Sequence, residues 1–552
     1  MHIPSWRGPA QGCFRPVTRF ESGRGQQSSR RGRYCALIES FVHKGRGSTG
    51  RFGNIGQTLL VIGASLYLIA YLVIALARLS YPFELEWMEG GSVVQVQRIL
   101  DGQSLYVTPS LTFVPFIYSP FYFYVSSLFA HVTGNGFLPL RLVSFVSSLG
   151  CFALIFMIVH RRTSSVYASF MASGLYAATF RLSGSWFDLA RVDSLSLFLL
   201  LAGIFTFDSP RKLTRSLASP LLLFLSFFTK QTALIVAVCL LVTALVTRRR
   251  LERYWFPLIF SLLLLGSFLI MNTLTGGWYK HYVLDLPAEH DMDYRMVVRF
   301  LTTDVGQLAI ALCVAAVPIL RLGAARSSTP DRNIQDVLVF GSLFLASLLS
   351  RIHVGGYENV LMPVYAGIAI YFGIGFAASL KVMGRNAPVE SVLVLAVALQ
   401  FVVLFYWPGE EIPSAMDRRQ GEKLEQLVSG FKGEVYMSDH PWYLGMLGRA
   451  TQAHRMAVKD LVRSPGFGQW GEILGQDMVA EVKEKRYEAF ILDAEDYEMQ
   501  LPGFKTNYML VESNLSESVF HPVTGLDRRP TLLYVRRTVK QNGAAPAATP
   551  GP

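Results

Sequence analysis

The sequence predicts an α-helical protein that crosses a membrane many times and carries a small α/β domain after its last span. Of its 552 residues, 51% are hydrophobic and only 16% are charged, whereas a soluble domain has about 25% charged residues. Apolar segments near the length that a membrane span requires recur between residues 57 and 407. This composition excludes a disordered chain, a nucleic-acid-binding module and an ordinary cytosolic enzyme.

About eleven apolar segments are predicted to span the membrane. The first runs from Gln57 to Ala77, and the others cover residues 140–160, 163–180, 194–208, 216–229, 232–247, 254–272, 299–320, 336–350, 360–380 and 389–407. Several are shorter than the roughly 20 residues that a span needs, so broken or partly interfacial helices are expected. The aromatic stretch 114–133 is instead predicted to lie on the outer membrane surface as an interfacial helix. A true span there, with another miscounted, is the alternative.

The distribution of basic residues predicts the orientation of these spans. The chain has a net charge of +12, but residues 408–552 hold 17 Lys and Arg against 20 Asp and Glu. With the N-terminus inside, every second connection is basic, as cytoplasmic loops are. These connections contain Arg161 and Arg162, residues 211–215, residues 248–250, residues 321–332, and Lys381 with Arg385. This pattern therefore predicts an integral membrane protein with a cytoplasmic N-terminus and an extracytoplasmic C-terminal domain.

Four regions follow from these patterns. Residues 1–56, with ten Lys and Arg and two Glu, are predicted to form a disordered cytoplasmic tail. Residues 57–407 form the membrane domain, with a first outer loop at 79–139. Residues 408–540 alternate helical patterns with strand patterns at 433–437, 489–493 and 532–536, which predicts an extracytoplasmic α/β domain. Residues 541–552 have the composition of a disordered tail.

The first outer loop is the strongest candidate for chemistry. Glu84, Glu86 and Glu89 fall within six residues, directly after the first span. On a helix, Glu86 and Glu89 would share one face, and a nearby like charge raises the pKa of one carboxylate, as a general base requires. A solvated acidic loop is the alternative explanation.

Further ionisable residues are predicted at the same side of the membrane. They are Arg191, Asp193, Lys230, Arg351 and His353. A charged side chain at a helix centre costs about 2.5–3.5 kcal/mol and less near an interface, so each alone could be a loop charge. Together, acids and cations on one side of the membrane favour an anionic ligand whose reactive end lies at that surface.

The order of short motifs resembles the GT-C superfamily of integral-membrane glycosyltransferases, in the bacterial branch of protein mannosyltransferases and aminoarabinose transferase. The resemblance covers about residues 57–250. Its motifs are Trp87-Met-Glu89-Gly, Gly102-Gln-Ser-Leu-Tyr106, Tyr118-Ser-Pro120, Leu140-Arg141-Leu-Val-Ser, Ala190-Arg191-Val-Asp193 and Phe228-Thr-Lys230. The Asp-Glu pair of the family is replaced by Met88-Glu89, with Glu86 one turn earlier.

The resemblance implies a GT-C-like fold and an inverting transfer of a hexose or pentose from a polyprenyl phosphate to a hydroxyl of a glycan, lipid or protein. It implies a location in the bacterial cytoplasmic (inner) membrane. It also implies that Glu89 or Glu86 is the base, with Glu89 slightly favoured, and that the other Glu and Asp193 orient the acceptor or a divalent metal. Lys230 and Arg191 match the phosphate-binding positions of the family, while Arg351 and His353 are added by their position. Tyr118 and Tyr122 are candidates for stacking on the sugar, with anchoring at the interface as the alternative. Membrane lipids are expected partners, and nucleic acid is not.

Two other classes of protein were weighed. A transporter or flippase for a lipid-linked or anionic solute predicts charged or broken helices near mid-span and a repeat between halves, and neither is evident in the sequence. A scaffold that binds partners through its C-terminal domain would not need so many spans.

Overall fold

The computed structural model describes residues 51–247, 252–324, 330–383, 387–493, 497–512 and 522–537. Both predicted disordered tails therefore lie almost entirely outside the described residues. The helices of nine residues or more are α1 (Arg51–Leu79), α2 (Glu89–Leu100), α3 (Phe121–Thr133), α4 (Phe137–Thr163), α5 (Val166–Ala178), α6 (Asp193–Phe207), α7 (Ser219–Phe227), α8 (Ala233–Thr247), α9 (Glu252–Leu274), α10 (Ala309–Ala324), α11 (Pro330–Ile352), α12 (Met362–Met383), α13 (Ala387–Val403), α14 (Ala415–Ser429), α15 (Arg455–Arg463) and α16 (Gly468–Glu484).

Shorter helical segments connect these helices. They are Arg181–Ser183, Thr214–Ala218, Trp278–Lys280, His281–Asp285, Leu286–Ala288, Arg295–Arg299, Phe300–Asp304, Gly306–Leu308, Glu358–Leu361, Pro408–Glu411, Pro441–Met446, Pro465–Phe467, Tyr497–Gln500 and Phe504–Asn507.

Each of the eleven predicted apolar segments coincides with a helix, but the helices differ in length. Among the described residues, six helices are long and apolar enough to cross a membrane, or seven if a pair bent by 43° near residue 405 counts as one span. Three further apolar helices have only 10–17 residues. A 15-residue helix is about 22 Å long, less than the roughly 30 Å of a hydrocarbon core. The architecture is therefore a helical membrane bundle, and the count of eleven complete spans is not established.

Polar contacts place the ends of several helices at the same end of the bundle. The side chain of Gln57 at the start of α1 donates to Glu390 at the start of α13 (2.7 Å). At that end of the bundle, Arg162 forms ion pairs with Asp208 and Asp336. Asp193, at the start of α6, contacts groups from other helices at the opposite end. We call this opposite end the site end.

Helix α3 lies within the predicted interfacial stretch. Its 13 residues correspond to about 20 Å, and it begins only at Phe121, after an irregular segment. Leu128 and Val132 are exposed, whereas Tyr122 and Phe123 are buried. The helix therefore presents an apolar surface on one side and packs into the protein on the other, as an interfacial helix does.

The C-terminal region contains a four-stranded sheet in the order β1 (Glu434–Tyr436), β2 (Tyr487–Leu492), β4 (Leu532–Arg536) and β3 (Tyr508–Glu512). Strand β1 is parallel to β2, while β4 is antiparallel to both of its neighbours. Three of these strands coincide with the predicted strands, and β3 was not predicted.

A shared hydrophobic core connects the segment between α1 and α4 to the C-terminal region. Buried side chains of this segment, such as Val93 and Phe116, belong to the same cluster as Val435, Trp442 and Leu461. The C-terminal region therefore packs directly on the loop that carries the three glutamates. This contact decides the environment of their carboxylates.

Candidate functional site

The acidic loop lies between α1 and α2, and all three of its carboxylates are buried. The exposed fraction is 0% for Glu84, 1% for Glu86 and 0% for Glu89. Removing a carboxylate from water costs several kcal/mol unless it is paired. Each of the three has a different cationic partner, and these partners come from distant parts of the chain.

Glu89 is held by four hydrogen-bond donors. Arg141 donates through Nε (3.0 Å) and Nη2 (2.6 Å), and the backbone amides of Leu85 and Ala190 each donate at 2.7 Å. Burial would raise the pKa of Glu89, but Arg141 and the two amides outweigh it and hold the pKa below its ordinary value. This geometry favours a positioning role for Glu89, because its oxygens are already engaged.

Arg141 connects the same carboxylate to the rest of the loop. Its guanidinium also donates to the carbonyl oxygens of Tyr81 (2.6 Å) and Phe83 (2.6 Å). The Glu89–Arg141 pair therefore fixes the loop against α4.

Glu86 is in a different environment. A single guanidinium atom, Nη1 of Arg191, donates to its Oε2 (2.8 Å). Burial raises the pKa of Glu86, Arg191 lowers it, and the nearby charge of Glu89 raises it. The net result is a pKa of about 7. A carboxylate that titrates near neutral pH has the property of a general base.

A segment of the C-terminal region, residues 522–528, covers Glu86. Gly525 has a φ of +87°, and a Cβ there would lie 2.7 Å from Cγ of Glu86. Hydrogen bonds hold the segment in place: Thr524 donates its backbone amide to Leu85 (3.2 Å), and Tyr357 donates its hydroxyl to the Gly525 carbonyl (2.8 Å). Only glycine allows the backbone to pass this close to the carboxylate.

Asp193 contacts polar groups from two other parts of the bundle. Its Oδ1 accepts hydrogen bonds from Nζ of Lys230 (2.6 Å) and Nδ2 of Asn359 (2.9 Å). Its buried Oδ2 has no hydrogen-bond partner among the described residues. As the first residue of α6, Asp193 also lies at the positive end of the helix dipole.

These three side chains line one end of a narrow pocket of about 20 Å³ between α6, α8, α11 and α12, which we call the bundle pocket. Its lining also contains Ser196, Leu197, Leu200, Thr232, Ala233, Val236, Ala346, Ser350, Val360, Met362 and Pro363. Along α6 the lining runs from Asp193 to Leu200, about 10 Å at 1.5 Å per residue. The pocket is therefore polar at the site end and largely apolar further into the bundle, a shape that suits an amphiphile.

The structure brings together five of the nine predicted site residues. Arg191 joins Glu86 to Tyr118, whose hydroxyl accepts from Nη2 (2.9 Å). Two residues further along the chain, Asp193 contacts Lys230. Tyr118 is half-buried, so its ring contributes to the same polar cluster.

The other four predicted residues lie in structural contacts. Arg351 is buried and pairs with Asp304 (2.8 Å) and Glu358 (3.1 Å). His353 contacts the carbonyl of Pro287 through Nε2 (3.0 Å). Tyr122 is fully buried and donates its hydroxyl to the carbonyl of Leu140 (2.9 Å); a ring in that position offers no face to a sugar. Glu89, described above, is the fourth.

Sequence reasoning did not predict a buried network around His440. Its Nδ1 lies 2.5 Å from Oε2 of Glu84, and its Nε2 lies 3.1 Å from Oδ2 of Asp493. Burial lowers the pKa of His440, but Asp493 and Glu84 outweigh it and raise the pKa well above its ordinary value. His440 therefore connects the acidic loop to the sheet. The sequence shows only the pair Asp439-His440 after a predicted strand, and nothing in it indicates which residues contact His440.

A metal ion would need several His, Cys, Asp or Glu side chains close together. In the ranges that the structure describes, no group of three or more His, Cys, Asp or Glu side chains converges so that it could hold a metal ion.

The helical bundle, with buried acids and cations gathered at one end, has an ArnT-like fold. It is similar to ArnT from Cupriavidus metallidurans in two crystal structures. One is bound to undecaprenyl phosphate (TM-score 0.55), and the other is in the apo state (TM-score 0.54). In both comparisons the identity is 13%, covering 87% of this chain and 99% of ArnT. No protein-family model and no curated protein sequence matches the chain.

Proposed function

We propose that the protein is a membrane glycosyltransferase that moves a sugar from a polyprenyl phosphate to a hydroxyl of a glycan, lipid or protein. The observation that carries this proposal is the bundle pocket, with Lys230, Asp193 and Asn359 at its polar end. The fold it shares with ArnT, which has been solved with undecaprenyl phosphate bound, supports the same ligand class.

The donor is proposed to enter the bundle pocket with its lipid between α6 and α12. Lys230 provides a compact positive charge for the phosphate, and it is only 13% exposed, so water weakens the attraction little. Oδ2 of Asp193 is available to accept a sugar hydroxyl. Arg191 supports the developing negative charge from the side of Glu86.

Glu86 is proposed to act as the base. It accepts the proton of the acceptor hydroxyl, and the oxygen forms a bond to the anomeric carbon. The bond between that carbon and the phosphate oxygen breaks, and the polyprenyl phosphate leaves with the electron pair. Attack from the opposite face inverts the configuration, and the charge of Lys230 stabilises the departing phosphate.

The site end is proposed to face the outside of a bacterial cytoplasmic membrane. Basic residues such as Arg161, Arg162 and Lys381 lie in the last turn of helices that end at the opposite side of the bundle, where the positive-inside rule expects them on the cytoplasmic side. Since nucleotide sugars are made in the cytosol, a site on the outer face needs a lipid-linked donor.

Replacing Lys230 by Met is expected to weaken donor binding about 10- to 100-fold, because a hydrogen bond to a charged group contributes about 1.5–3 kcal/mol. The KM for the donor reports the loss. Lys280→Met is the matched control, since Lys280 forms a similar ion pair with Asp285 (2.7 Å) but is 51% exposed. Equal KM values for Lys230→Met and the wild type would remove Lys230 from the donor site.

The function itself can be tested with the full chain in proteoliposomes. Undecaprenyl-phosphate hexoses and pentoses are supplied as donors, with lipids and glycans of the source membrane as acceptors. Mass spectrometry should detect free undecaprenyl phosphate and an acceptor heavier by one sugar. Movement of intact donor across the bilayer, with no product, would instead support the transporter or flippase.

A further inference from the structure

A second, larger cavity lies at the site end, outside the bundle pocket. It has a volume of about 520 Å³ and lies between the end of α1, the connection from α3 to α4, and the short helix Pro441–Met446. It lies where α1 ends and α4 begins, and both helices are long enough to span a membrane. We therefore call it the interfacial groove. The lining residues on which its chemistry depends are Tyr81, Gln97, Asn135, Phe137 and Trp442.

The lining has a consistent chemistry. None of the described residues that line the groove is Asp, Glu, Lys, Arg or His. Three aromatic residues, Tyr81, Phe137 and Trp442, alternate with amide and hydroxyl side chains. A charged ligand would lose its hydration here without gaining a counter-charge. A saccharide without charge offers both hydroxyl groups and apolar C–H faces, which match this lining.

Two buried oxygen atoms in the lining have no hydrogen-bond partner in the described part of the chain. They are the hydroxyl of Tyr81 and Oδ1 of Asn135. Nδ2 of Asn135 donates to the carbonyl of Val93 (3.3 Å) and to Oε1 of Gln97 (2.9 Å). Since both partners are acceptors, the amide nitrogen must face them, and Oδ1 remains as an unused acceptor. A buried polar group without a partner costs about 1–3 kcal/mol, which a ligand hydroxyl would relieve.

The loop Gly134–Gly136 leaves open space beside its backbone. Gly134 has a φ of +82°, and within the described structure a Cβ added to Gly134 or Gly136 would meet nothing within 4 Å. The space beside Asn135 is therefore unobstructed here, while Gly134 itself already donates its amide to Ala130 (2.9 Å) and accepts at its carbonyl from the Thr133 hydroxyl (3.1 Å).

The groove adjoins the acidic loop. Arg141, the partner of Glu89, donates to the carbonyl of Tyr81 (2.6 Å) and stacks over the ring of Phe137 (4.8 Å to its centroid). Trp442 lies against the acidic loop as well, because a Cβ on Gly90 would be 3.1 Å from its Cβ. One layer of side chains therefore separates the groove from Glu84 and Glu89.

We propose that the interfacial groove binds an uncharged saccharide. If the proposed transferase function holds, on which this second step rests, the saccharide is the part of the acceptor next to the hydroxyl that receives the sugar. Its source is either a glycan anchored in the membrane or a soluble one, since both present the same chemistry.

The test is binding of the full chain in nanodiscs to an array of uncharged oligosaccharides and matched anionic ones, each in soluble and lipid-linked form. We expect binding to uncharged glycans, reduced at least tenfold by Asn135→Leu. Asn507→Leu is the matched control, because Asn507 is also half-buried and donates to one backbone carbonyl, that of Val482 (3.0 Å). If Asn135→Leu does not fold, glycan binding is measured with Gln97→Leu instead, because Gln97 also lines the groove.

The inference is overturned if no uncharged glycan binds, if only anionic glycans bind, or if folded Asn135→Leu or Gln97→Leu binds as the wild type does. Binding only to lipid-linked glycans identifies a membrane-anchored source, and equal binding of both forms identifies a soluble one. Asp193→Asn should bind glycans normally while losing transfer activity. Glycan binding without any transfer activity in the wild type would contradict the proposed function but leave the groove assignment intact.

Discussion

Replacing Glu86 by Gln is expected to lower kcat by about 100- to 10,000-fold, the usual contribution of a general base. Gln keeps the size of the side chain and can still accept a hydrogen bond from Arg191, which donates to Oε2 at 2.8 Å, so the fold should persist. It cannot accept the proton of the acceptor hydroxyl. Single-turnover transfer in proteoliposomes measures the chemical step apart from donor binding.

Glu84→Gln is the matched control for this prediction. Glu84 is equally buried and lies two residues away, but it contacts His440 in place of Arg191. We expect its kcat to fall less than tenfold. If Glu86→Gln retains the wild-type rate, or if Glu89→Gln loses it while remaining folded, the assignment of the base is wrong.

The same assignment predicts a pH dependence. Because burial raises the pKa of Glu86 to about 7, the carboxylate is protonated below that pH and cannot act as a base. The value of kcat/KM should therefore rise with pH up to about 7 and then level off. In Glu86→Gln, this step should be absent and the remaining activity should be low at every pH.

Replacing Arg141 by Met is expected to destabilise the protein by about 3–5 kcal/mol, because removing one partner of a buried ion pair leaves an uncompensated charge. Both Arg141 and Glu89 have an exposed fraction of 0%. The change also removes the donors to the carbonyls of Tyr81 and Phe83. Thermal unfolding in detergent, followed by the loss of soluble monomer, reports the change.

Arg418→Met is the control for this second prediction. Arg418 pairs with Glu422 at 3.3 Å, but the two side chains are 62% and 49% exposed, and such pairs contribute about 0–1 kcal/mol. If the two variants unfold at the same temperature, Arg141 does not hold the acidic loop in the way described.

The helices could be predicted because the length of an apolar segment can be read from the local sequence. All eleven predicted segments are helical, but their boundaries decide whether a segment spans. For example, α6 has 15 residues and α5 has 13, and whether such short helices cross a bilayer depends on packing between neighbours. Strand β3 lies at the edge of the sheet, where the consecutive apolar residues Leu510 and Val511 are both exposed. It was missed because its sequence lacks the alternation of apolar and polar residues that marks a half-buried strand.

The site was predictable where topology alone places residues together. Glu86, Arg191 and Lys230 follow or precede helices at the same end of the bundle, so alternating spans bring them close without knowledge of packing. Pairings between distant residues were not predictable. The separation between Glu84 and His440 is 356 residues, and only the docking of the C-terminal region on the first loop reveals their contact. Asn359 lies six residues after the predicted site residue His353, but its contact with Asp193 required the structure.

The central claim is that a polyprenyl phosphate occupies the bundle pocket. A cryo-electron-microscopy structure of the full chain in nanodiscs with undecaprenyl phosphate tests it most directly. The account predicts density for the phosphate within hydrogen-bonding distance of Nζ of Lys230, with the lipid chain passing along Leu197 and Leu200 between α6 and α12. Phosphate density away from Lys230, or a bundle pocket that stays closed while the lipid binds elsewhere, would contradict it.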